Sequence, residues 1–247
     1  HLAGQMRDEN PDILVLAGGL GEPFHNFEAA LSLFDDLSCH KAMVLGNRDL
    51  WSRNADCTSE QLWSTILPDA IHRHGFIHLE RESLVVDRLG ICGTIGWYDY
   101  SGRDTRLGYT VEQYQELKGL VNRDAQYVNW YWSDQEFAAK VQIDFASRIE
   151  TLDRDHGVDR IVVVTHTPIF KDAIVHMPDD AQWNFGAAYA FNLTIGRIVA
   201  PKMKVRHVIS GHSDIGGQWE ISFGHNIVKT HIVDHIEQGP IYNVVEV

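Results

Sequence analysis

The sequence predicts an α/β fold. Short apolar runs stop abruptly at glycine-rich or polar turns. They are Asp12–Ala17 before Gly18-Gly19-Leu20-Gly21-Glu22, Ala42–Leu45 before Gly46-Asn47-Arg48-Asp49, Ile161–Val164 before Thr165-His166-Thr167-Pro168, and Val205–Ile209 before Ser210-Gly211-His212-Ser213-Asp214. Segments with helical spacing separate them, as in parallel crossover units. In open α/β sheets ligands collect beyond the carboxyl ends of the strands, so these strand ends predict one shared site. A hydrophobic content of 44% with seven tryptophans is ample for a core.

Taken in order, Leu2–Asn10 reads as a loop or short helix leading to the first strand. Phe27, Ala30, Leu31 and Phe34 mark an amphipathic helix over Asn26–Leu37, with Asn26 as N-cap, and Ala42–Leu45 completes a strand–helix–strand unit. Thr58 and Gln61 form a capping box for a helix that Pro68 is expected to end near Leu67. Phe76–Leu79, Ser83–Val86 and Leu89–Thr94 read as short strands. Residues 97–132 are rich in aromatics without clear period. They predict an insertion that either packs on itself or rims the site.

A second capping box, Ser133 with Glu136, starts a long helix with Phe137, Val141, Phe145, Ile149 and Leu152 on one face, reaching about His156. Arg160–Thr165 is a strand, Pro168–Ala190 reads as a long loop, and Asn192–Val199 as a helix. From Val205 to Val247 strands alternate with turns at Gly211, Gly216-Gly217, Gly224 and Gly239. No repeat or linker divides the chain, so 1–247 reads as a single domain.

The net charge of −13 disfavours nucleic acid and anionic membranes as partners. No apolar run reaches membrane-span length and no signal-peptide pattern opens the chain. Cys39, Cys57 and Cys92 are odd in number and lack C-x-x-C spacing, which fits free thiols and a cytoplasmic location. The glycines at 18, 19 and 21 lack P-loop spacing and a following lysine. His72, His74 and His78 read as turn and strand residues, and His225, His231 and His235 as surface or edge residues.

Asn47, His166 and His212 offer an amide oxygen and two imidazoles from three separate strand ends, a donor set suited to a divalent metal. The spaced stretches resemble the motifs of calcineurin-like metallophosphoesterases: D-x-H, G-D-x-x-x, G-N-H-[DE], a lone H after a strand, and G-H-x-H. The corresponding positions are His1, Gly18–Glu22, Gly46–Asp49, Thr165-His166 and Gly211–Asp214. Gly-Trp-Tyr-Asp-Tyr at 96–100 looks like a loop of some members. The resemblance implies a two-sheet sandwich flanked by helices and a pair of metals about 3.5–4 Å apart that activate water and clamp phosphate oxygens. It implies His1, Asn47, His166, His212 and Asp214 as metal ligands, Arg48 as catalytic and substrate-binding, and Tyr98 as substrate-binding.

The motifs also depart from that pattern. Gly19 stands at the bridging aspartate and brings no ligand. Arg48 stands at the histidine that assists the leaving group; a guanidinium stabilises phosphate charge but cannot shuttle a proton. Asp214 stands at the last histidine, which favours harder ions. The first-motif aspartate would precede His1, on a strand absent from this sequence. Glu22, Asp49 and Asp99 are the candidates for a replacement carboxylate.

The expected cofactor is therefore Mn, Fe, Zn or Mg, as one ion at Asn47, His166 and His212 or as two. The expected function is metal-dependent hydrolysis of phosphate mono- or diesters, with full or reduced activity. The competing reading is a catalytically inactive member acting as a binding or scaffolding protein. A nuclease is the weaker hydrolase reading because the chain is acidic and carries no basic stripe.

Overall fold

A computed structural model of the chain describes residues 2–53, 57–213, 215–234 and 243–247. The strands fall into two sheets. The first is parallel, in the order β1 (Ile13–Leu16), β2 (His40–Met43) and β3 (Ile77–His78). The second runs β4 (Leu84–Val86), β5 (Leu89–Thr94), β6 (Arg160–Thr165), β7 (Val205–Ser213), β9 (Asn226–Asp234) and β8 (Gly217–Phe223). Within it β5, β6, β7 and β9 are parallel, while β4 and β8 pair antiparallel at the two edges.

The sheets pack face to face. Ala42, Val44 and Leu79 from the first meet Leu89, Ile91, Val162 and Val164 from the second in one buried cluster. Strands buried on both faces read as continuous apolar runs, as β6 does. On the outer face of the first sheet, Phe27 and Leu31 of α2 (Phe24–Ser32) and Leu67 and Ile71 of α4 (Leu67–Arg73) cover Leu14, Met43 and Leu45. On the outer face of the second, Phe145, Ile149 and Leu152 of α7 (Asp134–Arg154) and Ile195 and Val199 of α9 (Leu193–Val199) cover Cys92, Val163 and Val208. The fold is thus α/β, a two-sheet sandwich flanked by helices.

Both capping boxes form, each with the side-chain and backbone bonds reciprocated. Leu2–Glu9 is a short helix (α1), one of the two readings of that segment. Other boundaries differ from the sequence reading. Helix α2 begins two residues before Asn26, whose side chain donates back to the Glu22 carbonyl at 2.8 Å and caps nothing. Pro68 does not end its helix. The chain runs from α3 (Ser59–Gln61) through a π-turn over Leu62–Ile66 into α4, where Leu67 N–H bonds Leu62 O, five residues back. The wider turn places Pro68 in a first-turn position, where its missing N–H costs nothing.

Residues 168–190 are not one long loop. They hold a 3₁₀ turn, Lys171–Ala173, then α8 (Ala181–Gly186) capped by Asp180, then a second 3₁₀ turn, Ala187–Tyr189. Within 97–132, α5 (Val111–Val121) and α6 (Asp124–Tyr127) form. Trp97 stacks on Tyr98 with centroids 4.9 Å apart, and Trp130 tilts on Phe137 at 4.2 Å. Cys39, Cys57 and Cys92 are free, and burial pushes the Cys92 thiol up to about 12. Among the described residues no helix is long and apolar enough to cross a membrane.

His231 corrects a further expectation. It is buried, and its ring stacks on that of His207 with a 3.0 Å Nδ1–Nε2 hydrogen bond between them. His207 sits on β7 opposite Lys229 of β9, so neighbouring strands press the imidazoles together. His225 is exposed, as expected, and His235 lies outside the described residues. Burial, then His231 and Lys229, lower the His207 value from its ordinary 6.5 to about 4, and His231 is lowered by the same burial. Below pH 6.5 the unfolded chain takes up protons that the folded pair refuses, so this pair makes stability fall as pH drops from 6.5 toward 4. Urea midpoints at pH 5 and pH 7.5 check this: His207→Gln should show a smaller drop between the two than the parent protein.

Candidate active site

Three strand ends converge as the sequence predicted. Asn47 follows β2, His166 follows β6, and His212 lies near the end of β7. His166 Nε2 is 3.0 Å from Asn47 Oδ1 and 3.0 Å from His212 Nδ1. Gly211 does not turn the chain. Instead β7 continues through an irregularity in its pairing with β9 between Ser210 and Ser213, and Gly211 N–H bonds His166 O at 3.1 Å. His212 adopts φ +58 there, a left-handed conformation that few non-glycine residues take. The bulge is what brings its imidazole onto His166.

The loops beneath are held by one carboxylate. Asp49 is buried and accepts N–H bonds from Gly19 at 2.9 Å, Gly21 at 3.1 Å and Gly46 at 2.8 Å. Burial pushes its acid form up to about 6 against the pull of those backbone bonds. Gly18 and Gly19 take φ +79 and +76, which brings their backbone against the turn after β2. A Cβ on Gly18 would sit 2.5 Å from Gly46 N, and one on Gly19 would sit 3.3 Å from His166 Cε1. Glu80, also buried, anchors the same turn by accepting Leu45 N–H at 2.9 Å.

The remaining sequence candidates are placed as follows. Arg48 is exposed on the wall of an open groove of about 1770 Å³ that also contains Asn47, His166 and His212, with its guanidinium 5.7 Å from the Trp51 ring centre. Tyr98 is buried, so it does not face the groove as a substrate contact would. Its hydroxyl donates to Asp124 at 3.2 Å, and burial, then the nearby carboxylates, raise its value. His1 and Asp214 lie outside the described residues. None of the three replacement carboxylates is aimed at the donors. Glu22 pairs with Arg53, Asp49 is committed to backbone, and Asp99 holds Ser101 and Gln142. Among the described residues no three His, Cys, Asp or Glu side chains gather as a metal site, and the cluster depends on the Asn47 amide. Sequence reasoning missed Asp124, which bonds Asn47 Nδ2 at 2.9 Å from inside the aromatic segment; no motif marks it.

The donor chemistry tests whether a cation fits. His166 Nδ1 faces the Ala17 carbonyl at 2.8 Å, and a carbonyl only accepts, so that nitrogen carries a proton. In a neutral ring Nε2 is then a lone pair. Asn47 turns its nitrogen to a carboxylate and so shows His166 its oxygen. The Asn47 oxygen therefore lies 3.0 Å from His166 Nε2, and His212 Nδ1 lies 3.0 Å from the same nitrogen, to which it donates in one of its tautomers. One amide oxygen with two imidazole nitrogens is an ordinary ligand set for a divalent metal, and a cation there would replace these contacts. The residues fit.

Comparison with solved structures places the fold. The phosphopantetheinyl hydrolase of Mycobacterium tuberculosis superposes with a TM-score of 0.69 at 16% identity, over 94% of this chain and 88% of that one. A dimetal phosphatase from Danio rerio gives 0.53 at 17% identity, over 96% and 77%. A Thermus thermophilus protein gives 0.51 at 10% identity, over 94% and 80%. The chain has the calcineurin-like phosphoesterase fold. No protein-family model and no curated protein sequence matches it.

The close approach of the loops is testable. Gly108 also has a positive φ, +74, but a Cβ there meets nothing within 4 Å. Gly108→Ala should therefore cost only backbone strain, about 1–2 kcal/mol. Gly18→Ala adds the clash with Gly46 and should cost about 3 kcal/mol or more, read from chemical denaturation.

Proposed function

We propose that the chain is a metallophosphoesterase that holds one divalent cation through Asn47, His166 and His212 and hydrolyses phosphate mono- or diesters. The observation that carries this reading is the meeting of the Asn47 amide oxygen and His212 Nδ1 on His166 Nε2, each at 3.0 Å and each from a different strand end. The fold shared with a phosphopantetheinyl hydrolase and a dimetal phosphatase supports it. A divalent cation there would supply Lewis acidity and neutralise charge on phosphoryl oxygens.

The chain's own groups do the rest. Asn47, His166 and His212 orient the ion, with the His166 tautomer set by the Ala17 carbonyl. Arg48 lies on the groove wall, where its guanidinium can pair two phosphoryl oxygens and offset charge developing on them. It stays protonated and gives no proton to a departing alkoxide. Esters whose leaving groups depart without protonation are the substrates this arrangement suits, and alkyl esters are poor ones.

Elemental analysis and bis-p-nitrophenyl phosphate hydrolysis with added Mn²⁺ test the reading. About one metal per chain and Mn²⁺-dependent turnover are expected, with turnover lowered at least about 100-fold in His166→Ala. Metal without turnover would leave a metal-binding, catalytically inactive protein, and neither metal nor turnover would overturn the proposal. Leaving-group dependence checks the role of Arg48. Arg48→His introduces a titratable group and should raise turnover of alkyl relative to aryl esters by about 100-fold, the lower end of the usual range of general-acid assistance.

A further inference from the structure

Asp124 opens α6 within the aromatic segment, 77 residues along the chain from Asn47, and is 1% exposed. Its Oδ1 accepts from Asn47 Nδ2 at 2.9 Å and from Trp51 Nε1 at 2.6 Å. Its Oδ2 accepts from Asn47 Nδ2 and from the Tyr98 hydroxyl, both at 3.2 Å. Each of these contacts on the carboxylate is a donor, so it can only hold the nitrogen end of the Asn47 amide.

The amide does not make that choice by itself. Its oxygen and nitrogen are nearly the same size, and a half-turn about the last bond exchanges them. Turned the other way, Oδ1 would face the Asp124 carboxylate, acceptor against acceptor, so Asp124 favours the orientation observed. Its negative charge also lies directly behind the amide, where it makes Oδ1 a better donor to a cation. We infer that Asp124 is a positioning residue that holds the Asn47 amide with its oxygen toward His166 and His212, so that this oxygen is the atom offered to a cation.

This inference rests on the proposed metal reading, and its test separates the two. Asp124→Asn keeps an oxygen for Trp51 but places an amide against Asn47, which removes the bias on orientation. Calorimetric titration with Co²⁺ should show affinity about 10–100-fold weaker than in the parent protein, the usual loss when the partner of a ligand is removed. Tyr98→Phe deletes another bond to the same carboxylate while leaving Asn47 held, and should stay within about 3-fold. An unchanged affinity in Asp124→Asn, or an equal loss in Tyr98→Phe, would overturn the inference. A second reading uses no metal: ¹⁵N-asparagine NMR of the apo protein, with Asn47→Ala for assignment, follows hydrogen exchange of the Asn47 side-chain amide. Slow exchange is expected in the parent and fast exchange in Asp124→Asn. If the parent binds no Co²⁺, the metal reading fails and this exchange alone decides the inference. Fast exchange in the parent overturns it, whether or not the variant folds.

Discussion

The site depends first on a buried carboxylate that never faces it. Asp49 collects N–H groups from the loop after β1 and the turn after β2, and so fixes two strand ends against each other. A carboxylate taken out of water is costly, and the cost is offset only where several hydrogen bonds replace the lost solvent. Three backbone donors supply that here. The same contact requires the close passage of Gly18 past Gly46, leaving no room for a side chain. The turn held in this way carries Asn47 and Arg48 at its top, so the two groups nearest the proposed chemistry stand on a rigid base.

Above that base, a second buried carboxylate sets orientation. Asp124 and the Ala17 carbonyl act on opposite sides of the cluster, one committing the nitrogen of Asn47 and the other the proton of His166. Together they decide that the Asn47 oxygen and His166 Nε2 face one another. The donor set is nearly neutral by itself, with no carboxylate among the described residues aimed at it, so charge compensation for a divalent ion falls to groups one step removed. Where the resemblance to metallophosphoesterases leads one to expect an aspartate, Gly19 instead contributes a backbone N–H to Asp49.

How much was legible in the sequence varied with the kind of signal. The strand β6 and the long helix α7 were, because an unbroken apolar run and a capping box with a periodic apolar face are local patterns. The strand-end positions of Asn47, His166 and His212 were also legible, since ligands collect beyond the carboxyl ends of strands, whereas the packing of two sheets that brings Asn47 to the histidines was not. The helix through Pro68 was not, because a π-turn relieves a constraint that sequence rules treat as terminal. The same holds for His231, whose burial comes from a neighbour 24 residues away on another strand.

The sequence by itself determined the α/β class, the order of the central strands with helices α2, α7 and α9 between them, and the residue types at the strand ends, because periodicity, caps and turn residues act over a few positions. Only the tertiary structure decided what those residue types can do. That Asn47 presents oxygen and not nitrogen, that His166 carries its proton on Nδ1, and that Tyr98 is buried behind the groove all follow from partners distant in the chain. An amide or an imidazole has two faces of opposite hydrogen-bonding character, and which one it shows is set by what lies on its other side.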